Sequence, residues 1–192
     1  SDVLEVINRS LYYSSISEGS FDISVGCIDK LWNIGTDKAR IPSQAEINSR
    51  LPLVNYKNIL INNKDKSVML KNEGMLIDLG AIAKGYAGDE VKRILKENGV
   101  THAVINLGGN IVTIGNKPDG DKWRIGVKDP FVPDAPPWAS ISISDQSIVT
   151  SGIYERFFEK NGKRYHHILN PKTGYPVDNS LVKIGRASCR ER

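Results

Sequence analysis

Three observations predict an α+β fold for this 192-residue chain. Short runs with strand character recur between Ile59 and Leu169, helical spacing is confined to a few segments, and Gly- and Pro-marked turns separate them. No G-x-G-x-x-G and no GK[ST] follows any strand, which disfavours a dinucleotide-binding fold of the Rossmann kind. The length suits one domain or two tightly joined lobes, with a real core in either case.

The elements follow in order. Leu4, Ile7 and Leu11 give Val3 to Ser14 a helical period, and Gly19-Ser20 breaks it. Ile28 to Trp32 reads as a short helical or turn segment. Ser43 with Glu46 three residues later forms a capping-box pattern that opens a helix toward Leu51. Ile59-Leu60-Ile61 and Ser67 to Leu70 flank a polar Asn62 to Lys66 and read as a hairpin. Met75 to Leu79 reads as an apolar strand. A helix follows from Gly80, with Ala83, Ala87, Val91, Ile94 and Leu95 on one face and Asn98-Gly99 as its stop. Strands are predicted at Ala103 to Leu107, Ile111 to Ile114, Trp123 to Val127, Ala139 to Ser144, Ser147 to Thr150 and Arg164 to Leu169. A loop with Pro130, Pro133, Pro136 and Pro137 interrupts them. The chain has no internal repeat and no low-complexity segment.

Bulk properties narrow the function. A net charge of +4, from 26 basic and 22 acidic residues dispersed along the chain, suits an anionic ligand without marking a nucleic-acid binder. Cys27 and Cys189 form neither a CxxC pair nor a disulfide framework. No apolar run approaches the roughly 20 residues that span a bilayer. Ser1 is not an initiator Met, so a leader or lipid anchor ahead of it is compatible with the sequence.

The segment from Tyr165 to Pro176 carries the strongest chemical signal. His166 and His167, two of only three histidines, end an apolar run just before a Pro/Gly turn. Imidazole is matched to proton transfer near neutral pH. In a strand the two rings would point to opposite faces, one of them into whatever the sheet shelters. A second signal lies at Asp78-Leu79-Gly80. A helix N-terminus presents free N–H groups to phosphate, Gly80 and Ala81 admit a close ligand, and Lys84 stands one turn in. The alternative is a plain turn with Asp78 as cap and Lys84 solvated. Gly108-Gly109 reads chiefly as close backbone packing. Thr150-Ser151-Gly152 reads as a phosphate contact or a turn, and Ser151 lacks the G-x-S-x-G elbow of a hydrolase. Phe21-Asp22 with Trp32 reads either as an aromatic and carboxylate platform for a flat ring, or as a core Phe beside an N-capping Asp.

In order and spacing, these segments resemble the ApbE family, the FAD:protein FMN transferases. The matching pieces are Ser20-Phe21-Asp22-Ile23-Ser24-Val25-Gly26, Ile77 to Ala87, Asn106-Leu107-Gly108-Gly109-Asn110, Trp123 to Val127 with Asp129-Pro130, Thr150 to Arg156, and His166 to Gly174. The resemblance implies a two-lobed α+β domain of mixed and antiparallel sheets over residues 1–184. It implies FAD as substrate, Mg²⁺ as metal, and transfer of FMN to a Thr or Ser hydroxyl with release of AMP. The acceptor it implies is a subunit of an NADH:quinone reductase-type or related redox complex, with no nucleic acid involved. Residue by residue, it implies flavin contacts at Ser20, Phe21, Asp22, Asp78, Lys84 and Leu169, a main-chain metal ligand at Ala81, and His167 as the base. Family habit implies a parent that is extracytoplasmic and lipid-anchored, with this stretch itself soluble. Same-fold alternatives are a pyrophosphatase that gives free FMN and AMP, and a non-catalytic flavin-binding module.

Two departures set further expectations. Gly185 to Arg192 matches no family segment and reads as a tail not native to the fold, and the family's opening strand is expected ahead of Ser1. An Asp and a Thr that complete the family's Mg²⁺ site are expected beyond the His segment. Without them Ala81 would hold the ion poorly, so weak FAD binding and slow transfer are expected of the chain alone.

Overall fold

The computed structural model describes residues 1–132 and 135–189. Pro133 of the proline-marked loop and Arg190, Glu191 and Arg192 of the tail lie outside the described residues. In chain order the elements are α1 (Asp2–Ile16), α2 (Gly26–Trp32), α3 (Gln44–Arg50), β1 (Ile59–Asn62), β2 (Ser67–Leu70) and α4 (Gly80–Glu97). They continue as β3 (Ala103–Leu107), β4 (Asn110–Ile114), β5 (Trp123–Val127), β6 (Ala139–Ile143), β7 (Gln146–Gly152), β8 (Phe157–Lys160), β9 (Lys163–His166) and β10 (Lys183–Cys189). This is an α+β fold whose strand ladders are all antiparallel. The chain divides into two compact units, Ser1–Ile82 with Glu155–Asn179, and Ala83–Tyr154 with the chain from Ser180 on.

In the first unit, α1 buries Val6, Ile7, Ser10 and Ser14. The Ser10 hydroxyl donates to the Val6 carbonyl at 2.7 Å, so a buried polar group is satisfied within its own helix. Glu18 and Gly19 then take positive φ and turn the chain out of α1. α3 opens on the expected capping box: the Glu46 N–H donates to the Ser43 hydroxyl and the Ser43 N–H to the Glu46 carboxylate. Two clusters fill the unit. Cys27, Ile28, Trp32, Ile34 and Ile47 form one, with Phe158, Tyr165, Leu169 and Tyr175 packed against it. Ile7, Ile23, Ile59 and Met75 form the other.

The strand expected at Met75 to Leu79 does not form. This stretch makes a single parallel bridge, Leu76 to Val25, and its neighbour is the turn that leads into α2. Extended backbone beside a turn has no ladder to join. β8, which the apolar spacing did not announce, pairs with β9 through a turn at Asn161-Gly162, both at positive φ.

The second unit packs α4 on the sheet β10-β7-β4-β3, with Leu95 and Val100 against Ile105, Val112 and Ile114. Gly88 faces Val112 so closely that a Cβ there would lie 3.0 Å from its Cγ2. Gly108 and Gly109 are the two-residue turn of the β3–β4 hairpin, at φ of 58° and 84°. A Cβ on Gly109 would meet nothing within 4 Å, so close packing is not what glycine supplies there. The positive φ of a tight hairpin is. Gly185 to Cys189 continue β10 in antiparallel register with β7, from Gly185–Thr150 to Cys189–Gln146.

Candidate active site

α2 organises the first unit's matching segments. At its start, Gly26 lies so close beneath the Leu76–Asp78 backbone that a Cβ would sit 2.8 Å from the Leu76 carbonyl oxygen. Only glycine lets these two segments touch. The Asp78 N–H donates to the Ile23 carbonyl at 2.8 Å and fastens the same junction. At its other end, fully buried Trp32 donates its indole N–H to the Gly174 carbonyl at 2.8 Å, and its ring contacts Tyr165 and Tyr175. Seven residues of helix therefore tie Ser20–Gly26 and Asp78 to the histidine segment.

Trp32 is thus a core strut, and the flat-ring platform of Phe21, Asp22 and Trp32 does not assemble. Phe21 is half-buried against the Ile7–Ile23 cluster. Asp22 is buried, and its carboxylate accepts three hydrogen bonds from the protein. These come from the Ser24 N–H (2.8 Å), the Ser24 hydroxyl (2.6 Å) and the Tyr56 N–H (2.9 Å). It organises a turn instead of capping α2, whose N-cap is Val25. Ser20 is exposed beside it. A cleft of about 360 Å³ opens here, lined by Asp22, Asn55, Tyr56, Lys57, Pro171 and Lys172. Asp22 and the Pro171–Lys172 turn after His167 thus line one space, with Lys57, Lys172 and Glu18 also on its wall.

Asp78 serves as a cap: one carboxylate oxygen accepts the Gly80 N–H at 2.6 Å at the start of α4. Ala81 is exposed in that first turn, and Lys84 follows on the same helix face. Lys84 belongs to the second unit, where its ammonium nitrogen lies 3.6 Å from the place a Gly108 Cβ would occupy. Ser151 is a ladder residue of β7 paired with Ile184, not a nucleophile on an elbow.

The two histidines separate cleanly, although not by strand alternation, because β9 ends at His166. Buried His166 lies 2.9 Å through Nε2 from the Val177 carbonyl, and the Ile168 N–H donates to its Nδ1 at 3.3 Å. A carbonyl can only accept, so His166 is neutral with its proton on Nε2, and both nitrogens are committed to structure. Burial holds its pKa below the ordinary imidazole value. His167 places Nδ1 3.2 Å from the Arg156 carbonyl, which also receives the His167 main-chain N–H at 3.1 Å. The same logic puts its proton on Nδ1, and Nε2 has no hydrogen-bond partner among the described residues. Burial first, and the Arg156 guanidinium second, hold His167 below the usual value and therefore neutral near pH 7. A half-buried neutral imidazole with one fixed and one free nitrogen is equipped as a base. Leu169 is half-buried two residues on, bridged to Pro176.

Asp29 and Arg156 are charged neighbours of Asp78 and His167; Arg156 ends the Thr150–Arg156 segment, whereas no motif marks Asp29. Asp29 stands on α2, one turn from Gly26. Burial first, then the Asp78 charge, raises its pKa, and Arg156 opposes the rise. Its spacing from Gly26 within one short helix was the available signal. Among the described residues, no three His, Cys, Asp or Glu side chains gather as a metal site. A hard divalent ion needs carboxylate oxygen, so the Ala81 carbonyl does not fit Mg²⁺ by itself.

The ApbE family model matches residues 1–185, and the chain belongs to the ApbE family. The FAD:protein FMN transferase of Klebsiella pneumoniae is 42% identical over 182 residues, covering 95% of this chain and 56% of the relative. That of Treponema pallidum is 37% identical, covering 93% and 53%. The crystal structure of the ApbE protein from Thermotoga maritima superposes with a TM-score of 0.89 at 38% identity, over 97% of this chain and 60% of that one. The flavin transferase ApbE from Vibrio cholerae superposes with a TM-score of 0.84 at 28% identity. The chain spans a little over half the length of the curated relatives it matches.

Proposed function

We propose that this chain carries the base and part of the flavin site of an FAD:protein FMN transferase. The acceptor is a Thr or Ser hydroxyl of a partner protein. Its oxygen attacks the FMN phosphorus of FAD, the P–O bond to the bridging pyrophosphate oxygen breaks, and AMP leaves. His167 Nε2 takes the hydroxyl proton. The observation that carries this reading is the Nδ1–H bond of His167 to the Arg156 carbonyl, which leaves Nε2 as the free nitrogen. Phosphoryl transfer is chiefly positioning and neutralisation of charge, and a base on the attacking hydroxyl is the main proton-transfer demand.

In this reading the Ser20–Asp22 segment holds flavin through its main chain and the exposed Ser20, since the Asp22 carboxylate is engaged within the protein. Asp78, Lys84 and Leu169 supply further contacts. Mg²⁺ would neutralise phosphate charge, with the Ala81 carbonyl as one ligand; no carboxylates gather to complete its site among the described residues. The acceptor class is a subunit of an NADH:quinone reductase-type or related redox complex, and the parent protein is an extracytoplasmic lipoprotein. No helix among the described residues is long and apolar enough to cross a membrane.

The test is incubation with FAD, Mg²⁺ and a Thr-containing acceptor, read by intact mass. It is run on the chain alone and on the chain extended by the segments of the Klebsiella pneumoniae relative that it does not cover. An acceptor heavier by one FMN, lost with His167→Ala, is expected of the extended form. AMP and free FMN without labelled acceptor would replace the transferase with a pyrophosphatase. Unchanged FAD in both forms would leave a flavin-binding module.

A further inference from the structure

A buried acceptor without a donor is rare in a folded protein, and one stands in the second unit near Lys84. Asn110 opens β4 and is only 5% exposed, and its Oδ1 is enclosed with no hydrogen-bond partner among the described residues. The hairpin turn does not need it, because Asn106 Oδ1 already accepts the Gly109 N–H at 2.9 Å. Register fixes where the Asn110 side chain looks. Asn110 pairs with Leu107 across the hairpin, so the two side chains share a face. Leu107 Cδ1 lies 3.8 Å and Val112 Cγ2 3.0 Å from the place a Gly88 Cβ would occupy, so that face is the one α4 covers. Lys84 stands one turn ahead of Gly88 on the same stripe of α4. Its ammonium nitrogen lies 3.6 Å from the place a Gly108 Cβ would occupy, in the turn that joins Leu107 to Asn110. An exposed ammonium with three donors thus ends two residues along the hairpin from a buried acceptor that lacks one.

We infer that Asn110 is the positioning residue of Lys84, and that its Oδ1 takes one ammonium hydrogen when a diphosphate takes the other two. The inference rests on the reading of Lys84 as a contact of the flavin nucleotide. Without a ligand, water serves all three hydrogens of the exposed ammonium. Phosphate oxygens displace that water and accept two of them. The third then needs an acceptor supplied by the protein, since a charged donor left unmatched is costly. Asn110 Oδ1 is suited to this in two ways. It is neutral, so it accepts without cancelling the positive charge that holds phosphate, and its enclosure keeps water from competing for it. Gly108 leaves the path open: a Cβ there would stand 3.9 Å from Lys84 Cε, and its absence lets the stem bend down onto the hairpin. The orphan acceptor therefore burdens the resting fold and is matched when the ligand arrives.

The test is a double-mutant cycle read by ligand binding. Inorganic pyrophosphate and FAD are titrated calorimetrically into the chain and into its extended form. Asn110→Leu keeps the side-chain volume and deletes the orphan acceptor, so its unliganded Tm should equal or exceed that of wild type. Asn110→Ala is the second variant, on which the cycle is read if leucine disturbs the fold. Each is expected to weaken binding of both ligands about 10- to 100-fold, the worth of one hydrogen bond to a charged group. In a Lys84→Met background, which has no ammonium to position, the same changes should cost nothing further. The merely structural alternative predicts the same loss with and without Lys84. A measurement on the unaltered protein stands beside the cycle: pyrophosphate should slow solvent exchange of the Lys84 ammonium hydrogens in nitrogen-15 NMR. Wild-type affinity in the Asn110 variants, an equal loss in both backgrounds, or unchanged ammonium exchange would overturn the inference. FAD binding with no Lys84-dependent loss would remove the Asn110 role and keep the flavin reading. The cycle holding for pyrophosphate, with FAD unbound even in the extended form, would do the reverse, and binding of neither ligand would overturn both.

Discussion

Trp32→Phe is the sharpest test of α2 as the strut of the site. Trp32 is fully enclosed, and its indole N–H is the donor that reaches the buried Gly174 carbonyl, 142 residues away in sequence. Phenylalanine keeps an aromatic ring against Tyr165 and Tyr175 but has no donor. A buried carbonyl left unpartnered costs about 1–3 kcal/mol. The lost ring area and the void behind it add roughly 1–2 kcal/mol. The sum, about 2–5 kcal/mol, corresponds to a fall in Tm of roughly 4–20 °C for a chain of this size. Far-UV circular dichroism during urea and thermal unfolding is the suitable assay, because the substitution removes a fluorophore. Trp138→Phe is the control: Trp138 is 75% exposed, so its change should stay within about 0.5 kcal/mol. A Trp32→Phe variant as stable as that control would refute the claim that this bond holds the histidine turn to α2.

Four further outcomes follow from the same geometry. Gly26→Ala drives a methyl against the Leu76 carbonyl oxygen and should cost about 1–3 kcal/mol while weakening FAD binding, both measurable by thermal shift with and without FAD. His166→Ala should lower Tm because it strands the Val177 carbonyl, whereas His167→Ala should slow transfer about 10²–10⁴-fold in the extended enzyme with a smaller effect on stability. Both histidines have depressed folded pKa values, so the unfolded chain binds protons first. Stability should fall as pH drops below about 6.5, level off beneath the folded values, and lose part of this slope in the double His→Ala variant. Asp29 has the opposite sign: its raised folded pKa gives stability that is full below 3.8 and is lost as pH rises through the folded value. Asp29→Asn should therefore raise Tm at pH 7, by an increment that shrinks as pH approaches 3.8; an increment independent of pH would point to packing instead.

What was legible in the sequence was what local spacing encodes. The α1 period, the Ser43–Glu46 capping box, the β1–β2 hairpin and α4 with its Gly99 stop each depend on residues within one or two turns of each other, and each is present. Met75 to Leu79 misled because apolar residues in extended backbone read as a strand whether or not a partner lies alongside. The partner here is a turn, and Gly26, the residue that admits it, lies 50 positions away. β8 was readable in principle. Asn161-Gly162 is a hairpin dipeptide, but Phe157-Phe158-Glu159-Lys160 lacks the alternation of apolar and polar residues that marks a strand.

The site shows the same division. Two adjacent histidines announce imidazole chemistry, yet nothing in the dipeptide says which ring is free. That is decided by carbonyls at Val177 and Arg156, groups that every residue carries and that no side-chain motif records. His166 spends both nitrogens on holding β9 to the turn that follows it, and this fixes the backbone on which His167 stands. His167 spends only Nδ1, on the residue just before β8. The division of labour is therefore sequential: the buried ring builds the turn, and the turn presents the other ring with its basic nitrogen free. Exchanging the two roles would need exchanged carbonyls, so a variant that keeps one histidine at position 166 alone should retain the fold and lose the base.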